Sequence, residues 1–151
     1  MSLFDIYKAK KLGINAESLF ASAAGNLIRD AWKKGFNKWD EEWELGLIYN
    51  DTGQNRDSND YIRSKNYIPI LPSTEYYIKI PVGDAPLYFY DADHNYITPY
   101  FGGAAGKFTS PANAYFMRFR LGGNYGTVYN NDVCVNISGE HDGDYVPYDG
   151  E

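Results

Sequence analysis

The chain has 151 residues, of which 44% are hydrophobic and 23% charged, a balance that provides a core and excludes both disorder throughout and two full-sized domains. Its net charge of −6 leaves no basic face from which phosphates could release counterions, so nucleic acid is not an expected partner. No run approaches the roughly 20 apolar residues that span a bilayer, and no charged n-region leads into an apolar h-region, so neither a membrane partner nor a secretory signal is expected.

The opening Met1-Ser2-Leu3 and the final Glu151 read as added ends, with the native protein extending further on either side. Leu3, Ile6 and Tyr7 make a short apolar stripe before Gly13. From Asn15 to Lys34 the apolar residues Leu19, Phe20, Ala23, Ala24, Leu27, Ile28, Ala31 and Trp32 fall in adjacent pairs every four positions, the spacing of one face of a helix. Asn15 suits the N-cap, Lys33 and Lys34 the negative end, and Gly35 the stop. This stripe requires a cover, and its small residues allow close helix approach, so residues 1–38 are expected to anchor the chain or to make it a homo-oligomer, with a trimer as the first candidate. Glu41 and Glu42 read as a solvated linker into the next region.

From Trp43 the period changes to about 2, and β-branched and aromatic residues stand between turn residues. A composition of 15 Tyr, 8 Phe and 3 Trp against 2 Met fits sheets. Strands are expected at Trp43–Tyr49, Tyr61–Ile68, Tyr76–Ile80, Leu87–Tyr90, Tyr96–Phe101, Tyr115–Leu121 and Val133–Ile137. Trp43, Leu45 and Leu47 would share the core face. The intervening segments are too short for helical crossovers, which leaves an antiparallel β-sandwich or barrel over residues 39–151. Cys134, the single cysteine, reads as a buried strand residue.

Residues spread along this region carry a resemblance. They are Trp43-Glu44-Leu45-Gly46 with Thr52-Gly53, Ile62 to Ile68, Phe89-Tyr90-Asp91 with His94-Asn95-Tyr96-Ile97, Phe108-Thr109-Ser110-Pro111 with Tyr115 to Phe119, and Tyr129 to Ser138. Their order resembles a β-sandwich module of tail and baseplate proteins from phages and prophages of low-GC Gram-positive bacteria. The resemblance implies a mainly β, jelly-roll-like antiparallel sandwich, similar to carbohydrate-binding modules and preceded by a short helical segment. It further implies a virion structural protein whose partners are other tail or baseplate proteins and a host cell-surface polysaccharide. Such jelly rolls often carry a structural calcium ion; no other cofactor is expected. The alternatives are an assembly module that only packs against tail proteins, and the non-catalytic module of a cell-wall hydrolase.

The segment from Gly122 to Asp132 is Gly-rich and polar yet holds Tyr125 and Tyr129. Sugars present C–H faces to flat aromatics and hydroxyls to amides and carboxylates, so Tyr125, Tyr129, Asn130 and Asp132 form the candidate glycan site. The alternative is that both tyrosines pack beneath the loop. Arg63 and Lys65 lie on one strand face and either grip an anionic saccharide or pair with acidic neighbours. Asp91-Ala92-Asp93-His94-Asn95 begins like a calcium loop, but Tyr96 stands where its glycine belongs and Gly102 where its glutamate belongs, so a hairpin turn is expected. With only His94 and His141, both in polar loops, and with no nucleophile or metalloprotease motif, the chain is not expected to be an enzyme. Paired carboxylates drawn from Glu41, Glu42, Glu44 and Glu75 remain the single route to glycoside hydrolysis.

Overall fold

The structure is a computed structural model, which describes Ala31 and residues 36–82, 85–97 and 106–149. Among the described residues ten strands run in chain order: β1 Trp43–Leu45, β2 Leu47–Ile48, β3 Asn55–Arg56, β4 Tyr61–Ser64, β5 Ile68–Pro69, β6 Glu75–Lys79, β7 Leu87–Tyr90, β8 Gly106–Thr109, β9 Phe116–Gly122 and β10 Cys134–Ile137. Every pairing among them is antiparallel. The helix expected over Asn15–Lys34 lies outside the described residues apart from Ala31, which is helical and buried.

The seven-residue β9 organises the larger, five-stranded sheet. One of its edges pairs with β7; the other pairs first with β4 and then with β5, while β1 extends the sheet beyond β4. A second sheet runs β10-β6-β8, and β2 with β3 forms a separate hairpin. Both larger sheets feed one core. Ile62, Ile68, Leu87, Phe89, Met117, Phe119 and Leu121 meet Tyr76, Ile78, Val133 and Val135 there. Trp39, Trp43 and Phe119 cross edge to face, with ring centroids 4.8 to 5.4 Å apart. Such pairs add roughly 0.5–1.5 kcal/mol each beyond the area they remove from water.

Alternation sends the other side chains of the larger sheet outward. Tyr88 and Tyr90 of β7 join Ile48, Tyr96 and Phe116 in a smaller cluster that holds the β2-β3 hairpin against this outer face. Tyr88 and Tyr90 donate their hydroxyls to the Ile48 and Gly53 carbonyls, and Tyr96 donates to Asn50. The tyrosines therefore supply apolar area and satisfy turn carbonyls with the same side chains. Gly46 separates β1 from β2 at φ +129°, and a Cβ there would stand 2.2 Å from Arg63 Nη1. This turn breaks the single strand expected over Trp43–Tyr49. Trp43 enters the core as expected, but Leu45 is 53% exposed and Leu47 belongs to the hairpin.

The strand expected over Tyr61–Ile68 is also interrupted. Arg63 pairs with Arg120, and the next pair is Ile68 with Met117, so four residues on one side face two on the other. The surplus is a bulge that separates the backbones. The Ser64 hydroxyl fills the gap, accepting from Phe119 N–H at 3.0 Å and donating to Phe119 C=O at 3.3 Å. Arg118 caps the stranded Ser64 carbonyl through Nε and Nη2. Ser64 is fully buried. Ser64→Ala would leave the Phe119 N–H and C=O unpaired in a dry site, at a cost of about 1–3 kcal/mol for each buried group without a partner. A lowered denaturation midpoint with an unchanged slope is the expected result in an equilibrium unfolding titration.

Candidate functional site

Gly122 ends β9, and a single 3-10 turn over Gly123–Tyr125 follows, tied to β4 by Gly123 N–H donating to Asp60 O. The rings of Tyr125 and Tyr129 meet at 5.0 Å, inclined by 54°. Both rings are partly buried against the main core, so the loop packs on its tyrosines. Trp43 Nε1 donates to Tyr129 O at 2.7 Å, and Tyr129 donates its hydroxyl to Asp132 Oδ2 at 3.0 Å. This hydrogen bond to Asp132, aided by desolvation, raises the Tyr129 pKa. Asn130 Oδ1 is buried and finds no hydrogen-bond partner among the described residues. The Tyr129–Asp132 bond and the Asn130 carbonyl, which accepts from Val133 N–H, knit the loop, whose tip exposes Val128 at 87%.

Tyr125 also faces a cleft of about 470 Å³, lined with Tyr61, Arg120, Asn124 and the apolar Val82, Ala85 and Pro86. The Arg120 guanidinium lies 4.6 Å from the Tyr61 ring centre, and Arg120 Nε is buried with no hydrogen-bond partner among the described residues. Two aromatic rings, an amide and a cation on one concave surface are the groups that recognise a polyol ring. Sequence reasoning found Tyr125 and missed Tyr61, Arg120 and Asn124. The available signal was the alternation of Arg118 and Arg120 with apolar residues along β9, which puts two cations on one sheet face.

Arg63 is not brought to this cleft. It is 8% exposed, its Nε donates to Glu44 Oε2 at 2.6 Å, and its Nη1 donates to the Leu47 and Arg56 carbonyls. Pairing with an acidic neighbour, the second of the two expected roles, is what the geometry shows; the guanidinium pins the β2-β3 hairpin. Glu41 departs from the linker role expected of it. It adopts φ +63° and its carboxylate accepts from the Tyr145 hydroxyl and from Tyr148 N–H, holding the C-terminal segment. Glu42 accepts from Asn66 Nδ2, and Glu44 serves Arg63.

The segment at Asp91 forms the expected turn. Asp91 N–H donates to Asn95 O, and Asp91 Oδ1 accepts from the backbone N–H groups of Asp93 and Asn95. These bonds hold its carboxyl pKa low. The carboxylate faces N–H donors, and no group of three or more His, Cys, Asp or Glu that could hold a metal ion occurs among the described residues, so this loop does not fit a calcium ion. Of the strand expected over Tyr96–Phe101, the described part shows Tyr96 bridging Tyr90. Cys134 is buried in β10, and burial raises its thiol pKa, as suits an inert core thiol. Among the described residues no helix is long and apolar enough to cross a membrane.

Compared with protein-family models, with curated proteins and with solved structures, the chain gives no match.

The tyrosines also set an alkaline limit. Desolvation raises the pKa of Tyr76 and of Tyr90 above the ordinary value of 10.0, and desolvation with the Glu41 bond pushes Tyr145 up to about 12. A raised folded-state pKa means that the contribution to stability is complete below the unfolded value of 10.0 and is lost as pH rises from there through the folded value. A tyrosinate absorbance titration is expected to show a late class of tyrosines that ionise together with the loss of near-ultraviolet circular dichroism.

Proposed function

We propose that this chain is a tail or baseplate component of a phage or prophage, and that its β-region is a jelly-roll-like sandwich binding a host-surface carbohydrate. The observation that carries the reading is the cleft of Tyr61, Arg120, Asn124 and Tyr125. It joins two flat rings to directional polar groups on a rigid sheet, and the adjoining Tyr129, Asn130 and Asp132 brace the loop that bears Tyr125. A single open cleft of this kind binds sugars weakly. Oligomerisation through residues 1–38 would raise avidity by effective concentration, which gives the amphipathic N-terminal pattern a role in recognition. The sequence resemblance supplies the virion setting and the polysaccharide target.

A second reading is the assembly module, favoured by the tyrosines' packing against the core and by the exposed apolar tip at Val128, features that suit protein contact. Binding of the full chain to purified Gram-positive wall polysaccharide decides between them. Under the glycan reading Tyr61→Ala and Tyr125→Ala each weaken binding about tenfold or more, a loss of ~1.4 kcal/mol, while the melting temperature of Tyr61→Ala stays near that of the parent. Unchanged binding by a folded Tyr61→Ala chain transfers the function to assembly.

A further inference from the structure

The outer face of the larger sheet carries a second cleft, of about 340 Å³, lined by Gln54, Asn55, Lys65, Tyr67, His94 and Arg118 among others. It shares no residue with the cleft around Tyr125. No Asp or Glu lines it, in a chain that has 20 of them against 14 Lys and Arg. The charge beneath it is positive as well. Arg63 and Arg118 both rely on Glu44, at 2.6 and 3.8 Å, so two guanidinium groups share one carboxylate. Lys65 adds an exposed ammonium whose nearest carboxylate oxygen, on Glu42, is 3.9 Å away. An acidic protein thus focuses positive potential into one groove, which attracts anions.

The groove also offers a ring platform. His94 takes φ +67°, a conformation in which glycine would be free of strain. This backbone lays its imidazole on Tyr67 at 3.9 Å and 17°, with Phe116 edge-on at 4.6 Å. His94 is nevertheless exposed, so its ring borders the groove as well as packing on Tyr67 and Phe116. Arg118 Nη1 donates to Asn55 Oδ1 at 2.6 Å, which sets the orientation of an amide at the rim. The bulge after Ser64 lifts Lys65 and Tyr67 out of the ladder and so places a cation and an aromatic ring at the opening. A flat face, amides and a surplus of positive charge together match a ring of hydroxyls that carries a negative group.

We propose that this groove binds the charged unit of an anionic saccharide, a sugar ring bearing a carboxylate or a phosphate, with the ring laid on His94 and the anionic group turned toward the exposed Lys65 ammonium, in the field of the buried Arg118 guanidinium. The assignment stands apart from the glycan cleft at Tyr125 and survives its failure.

Amide chemical-shift titrations of the full chain with glucuronic acid, glucose phosphate, glucose and inorganic phosphate test it. Glucuronic acid or glucose phosphate is expected to give saturable shifts at Gln54, Asn55, His94 and Asn95, and the tighter of the two identifies the anionic group. Lys65→Gln and His94→Gly should each weaken that binding about fivefold or more. His94→Gly relieves the positive φ while removing the ring contacts with Tyr67 and Phe116, and a cooperative melt above the titration temperature separates lost binding from lost folding. Tyr61→Ala, in the other cleft, should leave these shifts in place. Glucose binding as tightly as glucuronic acid overturns the anionic role, and inorganic phosphate giving the same shifts and affinity overturns the sugar ring. Absence of saturable shifts with all four probes, or full binding by both variants, overturns the site.

Discussion

The structure turns on the way β9 is satisfied where its partner strand leaves it. Between the Arg63-Arg120 and Ile68-Met117 pairs the ladder opens in the middle of the molecule, where water is absent and each unpaired backbone group costs stability. The Ser64 hydroxyl serves both polar groups of Phe119, and Arg118 serves the Ser64 carbonyl. A buried guanidinium needs a counter-charge, and Glu44 provides it while also holding Arg63. Arg63 in turn pins the hairpin from beneath Gly46. Hairpin position, buried charge and the register of the central strand therefore follow from one break in one ladder.

Tyrosine makes this arrangement workable on the outer face. A phenylalanine at 88, 90 or 96 would supply similar apolar area, but the carbonyls of Ile48, Gly53 and Asn50 would lose the hydroxyl donors they now receive. The second sheet is closed by the same chemistry, with the Tyr145 hydroxyl on Glu41 fastening the C-terminal segment. The high tyrosine content thus reports in large part on turns and segments docked upon sheets. Tyr61 and Tyr125 line one concave surface, and Tyr67 lines the other beside Tyr90 and Tyr96.

Period-2 alternation made β6 legible in the sequence, while β7, β9 and β10 stood out as runs of β-branched and aromatic residues between turns, buried at successive positions. Strands β3 and β8 were not legible: Asn55-Arg56 has no apolar residue, and in Gly106–Thr109 Phe108 alone is a large apolar residue, and it is half-buried. The divisions at Gly46 and after Ser64 were hidden too, since a positive φ and a two-residue surplus leave the hydrophobic pattern almost intact. At the candidate site, Tyr125 and the loop contacts of Tyr129 and Asp132 could be read from local composition. Arg63 could not, because an alternating cation points outward by pattern, and only the hairpin folded over it decides whether outward means solvent or burial. Tyr61 and Arg120 became a pair through strand order, which is a property of topology and not of spacing.

The bulge has a further consequence for how such a chain changes over generations. Asn66 and Tyr67 take no part in the β4-β9 and β5-β9 ladders, and Lys65 reaches Glu42 through its backbone N–H at 3.0 Å and through its exposed ammonium at 3.9 Å. Substitutions at Lys65 and Tyr67 alter the charge and shape of the outer groove while the Ser64, Phe119 and Arg118 bonds persist. Mutational tolerance is concentrated at a rim and withheld from the framework a few ångströms below.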